Sequence, residues 1–254
     1  MAHPAVAVLE YHLAGYRRGW QSSLVSSLLI PVLYLLGLGL AVAPHVDRGG
    51  SLGRPYLAFV APGLLAATAL QVSMLESSFP VLNALRFQRT YQVIASTPVR
   101  VVDMLLGRLC YIALRVAASV AAFLVVLLPF GVLRSPWALA APAMALLVAL
   151  AAAAPMLAIA ATFAAPSQMT TLVRLVMLPM TLTSGVFFPV ERMPEFIRPA
   201  AYALPLWHGV ELSRAAALGI HPAWPVPLHL GVLALWLAAG FAVARARFSA
   251  RLAV

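Results

Sequence analysis

His208 and Glu211 stand three residues apart, close enough to share one face of a helix, and Glu191, Glu195, His221 and His229 lie near them in sequence. Imidazole and carboxylate at that spacing suggest a metal centre or general acid–base chemistry. A zinc site, however, asks for His-Glu-x-x-His or for paired cysteines. Neither is present, and Cys110 is the one cysteine of the chain. Thr183-Ser184-Gly185 lacks the Gly-x-Ser-x-Gly frame of a nucleophile elbow. All 17 basic residues are Arg, so the Lys that reaches the terminal phosphates in a P-loop is missing. No catalytic residue, metal site or bound cofactor is expected. Energy for any vectorial task must come from an ion gradient or from a partner.

Another isolated carboxylate is Glu76, about one turn from the end of an apolar run. A carboxylate at that depth is expensive and calls for a partner or water. Arg86 and Arg108 are the candidate partners, and interfacial water is the alternative.

The elements that position these groups are written in the composition. Of 254 residues, 63% are hydrophobic and 9% charged, and the mean hydropathy is +0.95; soluble domains carry about 25% charged residues. Apolar runs occur at about Leu24–Ala43, Tyr56–Leu75, Met104–Phe130, Trp137–Phe163, Leu172–Phe188 and Val226–Ala244. Each approaches the roughly 20 residues that cross a bilayer. The expectation is an all-α integral membrane protein with six transmembrane helices in one domain, residues 1–254. Ala41-Val42-Ala43 resembles a signal-peptidase site, but its run is longer than the 7 to 15 residues of a signal core, so no cleavage is expected. Pro31, Pro62, Pro142, Pro155 and Pro179 interrupt the runs and predict kinks.

The net charge of +10 does not indicate nucleic acid here, because membrane proteins concentrate Arg in cytoplasmic loops. Arg17 and Arg18 precede the first run, Arg86, Arg89 and Arg100 follow the second, and Arg245, Arg247 and Arg251 follow the sixth. On the opposite loops, Asp47, Glu191, Glu195 and Glu211 partly offset the arginines. Both termini are therefore expected in the cytoplasm. Residues 1–21 repeat Val6, Leu9, Leu13, Tyr16 and Trp20 at steps of three and four, the pattern of an amphipathic helix lying in the headgroup layer.

Two connections are too structured to be simple loops. In 79–102, Leu85, Arg86, Gln88, Arg89, Thr90 and Tyr91 mix basic and apolar groups on a short helix. Thr97 is expected to cap the next helix, with Pro98 at its first position. That surface suits docking into a groove on a partner, or contact with anionic lipid. In 189–224, Pro189, Pro194, Pro199 and Pro205 break apolar pieces too short to cross, the pattern of a re-entrant helical hairpin.

The order of amphipathic helix, six runs, basic segment and Pro-broken hairpin resembles the type-2 ABC exporter permeases over essentially the whole chain. Ser184-Gly185-Val186-Phe187-Phe188-Pro189, Met193-Pro194 and Leu204-Pro205-Leu206-Trp207-His208 carry the resemblance most specifically. Tyr56 to Gly63, Glu76-Ser77 and Arg86 to Tyr91 are similar to the branch of lipooligosaccharide (nodulation-factor) and daunorubicin-type efflux permeases. That resemblance implies a homodimer in the bacterial inner membrane, bound to a separate ATPase subunit that holds ATP and Mg. The segment after the second run would be the coupling helix, and an amphipathic substrate would leave along the permease interface. Glu76, Trp207, His208 and Glu211 are the expected polar contacts of that pathway. Trp207 departs from the small or polar residue often found before this His. A passive channel or a membrane scaffold is the competing expectation.

Overall fold

The computed structural model describes residues 3–17, 29, 32–48, 55–132 and 135–252. Trp20, Arg18 and Pro31 lie outside them. Helix α1 spans Pro4–Tyr16, and α2 spans 32–48 with a π-helical turn at Leu38–Val42. Then follow α3 (Tyr56–Ser77), α4 (Phe79–Arg86), α5 (Thr90–Ala95), α6 (Val101–Leu127), α7 (Ala141–Thr162) and α8 (Pro166–Thr183). Two short helices, α9 (Arg198–Ala203) and α10 (Pro205–Leu218), precede α11 (Val226–Leu252). Among the described residues there is no strand.

Among the described residues four stretches are long and apolar enough to cross a membrane: Tyr56–Arg86, Val101–Phe130, Pro136–Thr162 and Val226–Leu252. Helix α3 is the central post, buried along nearly its whole length. Its hydroxyls have no water to turn to and bond backwards to their own helix: Thr68 to Leu64 O, Ser73 to Leu70 O and Ser77 to Ser73 O. Helix α7 lies against α3 and α11, and its run of buried alanines lets backbones approach closely, as apolar solvent requires. Helix α11 crosses α7 closely at Pro155: a Cβ on Gly240 would stand 2.5 Å from Pro155 Cδ. Gly107 plays the same part where α1 rests on α6, 2.7 Å from Val8 Cβ by the same measure.

Pro62, Pro155 and Pro179 lie inside helices, at the positions where kinks are expected. Pro142 does not kink anything, because it falls in the first turn of α7, where its missing N–H is no loss. The cap expected at Thr97 is also elsewhere. Helix α6 starts at Val101, and the Arg100 amide donates to Asp103 Oδ2 (3.3 Å), while the Thr97 hydroxyl donates back to Ile94 O (2.6 Å). In α1 the inward face is Val8, Leu9, Leu13 and Tyr16, and Val6 is exposed. The register of α1 on α6, with Val8 over Gly107, sets that face.

Candidate functional site

The polar groups gather at the two ends of α3, a helix of 22 residues that is about 33 Å long at 1.5 Å per residue. At the Ser77 end, Glu76 meets two arginines of α6. Arg115 Nε donates to Glu76 Oε1 (3.2 Å), Arg108 Nη2 donates to Oε2 (3.5 Å), and the same Arg108 nitrogen donates to the Glu76 carbonyl. Both guanidinium side chains are under a tenth exposed. Aromatic faces cover them: Arg108 lies 4.9 Å from the Tyr111 ring centre and Arg115 4.7 Å from that of Tyr16. Arg108 Nη1 also donates to His12 Nδ1 (3.3 Å). Burial, reinforced by Arg108, pushes the His12 imidazole down to about 3. Of the two expected partners of Glu76, Arg108 is there. Arg86 instead donates to Phe163 O at the end of α7 (3.1 Å). Arg115, which is seven residues or two helical turns beyond Arg108, is the partner that sequence reasoning missed; the i, i+7 spacing was the signal.

Beside this knot, α4 and α5 fold back over the bundle. Leu85 and Tyr91 are buried and serve as the pins, with Tyr91 edge-on to Phe248 of α11 at 5.4 Å. Gln92 Nε2 closes the turn on Leu85 O (2.7 Å). Arg89 begins α5 from the left-handed region, φ 53°. Gln88 and Arg89 are exposed and Thr90 is half-buried; Phe87 and Val93 on either side of them are both exposed by more than 60%. Exposed Phe87 and Val93 therefore flank the exposed Arg89 along the segment.

At the opposite end, α8 stops at Ser184 and the chain turns at Gly185, φ +76°, a conformation that suits only glycine. Phe188 is exposed. Pro189 leads a 3-10 turn, Val190–Arg192, and Pro194 sits between that turn and α9. Pro205 is the first residue of α10. Arg214 ties these pieces together: Nη2 donates to Gly185 O (2.8 Å), Nε to Phe59 O (3.2 Å) and Nη1 to Glu211 Oε1 (2.7 Å), with the guanidinium 3.8 Å above the Phe59 ring. The other oxygen of Glu211 accepts from the Ala223 amide (3.1 Å). His208 is fully buried, with Nε2 on Tyr202 O and Nδ1 on His229 Nδ1, each 2.9 Å away. Trp207, 1% exposed, is boxed by Tyr202, Trp224 and His229. Thus Trp207, His208 and Glu211 come together, remote from Glu76, and all turn inward. Among the described residues no three His, Cys, Asp or Glu cluster as a metal site would.

Between the two ends lies a groove of about 230 Å³ lined by α2, α3 and α8, with Tyr34, Gln71, Leu178 and Phe187 in its wall. Among the described residues that line it none is charged, and the hydroxyls of Thr68 and Thr181 are already committed to backbone carbonyls (2.7 and 2.8 Å). On α8, Leu175, Leu178 and Leu182 form an exposed stripe.

A helical bundle with several apolar spans and ordered polar knots at both ends is the build of an integral membrane protein. Residues 5–218 match the family described as ABC-2 type transporter, and the chain belongs to that family; it is a multi-pass membrane permease. It is similar to Nodulation protein J of Rhizobium leguminosarum bv. trifolii, 30% identical over 97% of this chain and 93% of that one. Nodulation protein J of Neorhizobium galegae is likewise 30% identical, and that of Rhizobium meliloti (strain 1021) 29%, both at 97% and 93% coverage.

Proposed function

We propose that this chain is the permease half of an exporter whose energy comes from a separate ABC ATPase, moving an amphipathic or lipid-linked molecule, of lipooligosaccharide or hydrophobic-drug type, outward across the inner membrane. The observation that carries the coupling is the α4–α5 patch. Exposed Phe87 and Val93 flanking Arg89 are costly to leave in water unless a partner covers them, and buried Leu85 and Tyr91 make the segment a stiff lever on α7 and α11. ATP and Mg are assigned to the partner, since no Lys is available for a P-loop.

In this reading the chain makes six crossings. Helix α2 supplies the first and α8 the fifth, both termini are cytoplasmic, and 189–224 re-enters from the outside. The α8 stripe faces a second copy of the permease, and the groove at α2, α3 and α8 guides the apolar part of the cargo. Trp207, His208 and Glu211 shape the outer mouth, and Glu76 anchors the inner end of α3.

Co-expression with the ATPase tests the coupling. Phe87→Ala with Arg89→Glu is expected to cut retention of the ATPase about tenfold or more while membrane insertion is unchanged; loss of a central apolar anchor alone is worth over 1 kcal/mol at an interface. Full retention and full stimulation of ATP turnover by the double variant would sink it.

A further inference from the structure

The knot at the Ser77 end of α3 holds more positive than negative charge. Helix α3 contributes one carboxylate, Glu76; α6 contributes Arg108 and Arg115; α1 contributes His12 and Tyr16, both uncharged. One guanidinium charge is left over at under a tenth exposure, and buried arginine in a membrane protein is expensive without a counter-charge.

Hydrogen-bond direction sharpens the deficit. A guanidinium can only donate, so His12 Nδ1 accepts from Arg108 and the ring proton sits on Nε2. That Nε2–H is buried and meets no acceptor among the described residues, and neither does the Nε–H of Arg108. Two unmet donors and a surplus positive charge lack the same thing, an acceptor that is negative. His12, one of the two, also lines a cavity of about 410 Å³ together with Tyr11, Ala14 and Gly15, within the size range of ligand pockets. Ala14 and Gly15 leave its wall low, and a Cβ on Gly15 would meet nothing within 4 Å.

We propose that this cavity beneath α1 binds a phosphate group, the headgroup of an anionic phospholipid, with phosphate oxygens accepting from His12 Nε2–H and neutralising the excess charge of Arg108. The placement favours lipid over a soluble anion because α1 lies along α6 beside the end of a membrane-crossing helix, at the depth where headgroups lie. Helix α1 is then a lipid-gripping clamp on α6, whatever drives transport.

The experiment uses the whole permease in nanodiscs of phosphatidylcholine, with phosphatidylglycerol titrated in. The readouts are the thermal midpoint and the anionic lipid retained after exchange. The wild type is expected to be stabilised by phosphatidylglycerol, and His12→Phe, which keeps the ring packing on Tyr111 (5.4 Å), to bind it about tenfold more weakly, the worth of one charge-assisted hydrogen bond. Arg17→Gln, which removes an exposed charge at the end of α1, should keep the preference. Stabilisation by inorganic phosphate alone, lost in His12→Phe, would support the phosphate site and assign a soluble source. An unchanged preference in His12→Phe, or equal losses in both variants, overturns the proposal, the second outcome meaning diffuse attraction of a basic protein to an anionic surface.

Discussion

The two ends of α3 solve the problem of charge in an apolar chain in opposite ways. At the Tyr56 end the charges are answered internally: one Arg and one Glu close on each other with two carbonyls and an amide, while His229 Nε2, Ser184 Oγ and Ser213 Oγ stay buried without a partner among the described residues. At the Ser77 end the account is left open, with two guanidinium groups on one carboxylate, donors unmet, and exposed Phe87 and Val93 flanking Arg89. A closed network fixes geometry and an open one leaves room for something else to bind. The chain therefore keeps its stiffest polar structure where the hairpin turns and its receptive surface where α1, α4 and α5 gather.

Breaking the closed end should do the most damage. Arg214→Ala removes the tie between α10, the Gly185 turn and the start of α3, and leaves Glu211 without its cation. Loss of one partner of a buried pair costs about 3–5 kcal/mol, enough to lower the yield of folded protein and shift denaturant unfolding in detergent. Arg214→Met combined with Glu211→Gln should recover part of that loss. Equal stability of wild type and Arg214→Ala would mean that the network is ornamental and that the contrast between the ends is false.

The open end should show a pH signature. His12 titrates at about 3 in the folded chain, below the 6.5 or so of an unperturbed imidazole. Between those values the unfolded chain binds a proton that the folded chain does not, so this contribution to stability is full above pH 6.5 and is lost as pH falls toward 3. Thermal midpoints measured in neutral lipid should therefore fall more steeply with acid in the wild type than in His12→Phe. Parallel curves would remove His12 from the buried knot.

Much of this was legible in the residues. Apolar length and Arg placement foretold α3, α6, α7 and α11, because a span is decided by local composition. The structured α4–α5 segment was visible as mixed basic and apolar letters, and Glu76 as a carboxylate in the wrong solvent. What spacing could not supply was partner choice. Both Arg86 and Arg108 are open as partners of Glu76 in the sequence, and only the packing of α6 on α3 turns Arg108 and Arg115 inward while Arg86 caps α7. His208 and His229 are separated by a Pro-rich connection, so their contact depends on how α10 seats on Val148 through Gly209. The α2–α3–α8 groove is likewise a product of tertiary contact, assembled from residues that are each unremarkable on their own helix.

The smallest effect distinguishes binding surface from scaffold within the open end itself. Arg89 holds φ 53° at the head of α5, a region that costs a residue with a Cβ about 1–2 kcal/mol and glycine almost nothing. Its backbone carbonyl accepts from the Gln92 and Val93 amides, and that bonding survives any side chain. Arg89→Gly should therefore raise the thermal midpoint slightly or leave it unchanged, while removing one cation from the rim of the Phe87–Val93 patch and weakening ATPase retention by a few-fold, the scale of a rim charge. Stability and docking would move in opposite directions in a single variant. If both fell together, Arg89 would belong to the scaffold that Leu85 and Tyr91 build, and the rim of the docking surface would have to be drawn closer to Arg100.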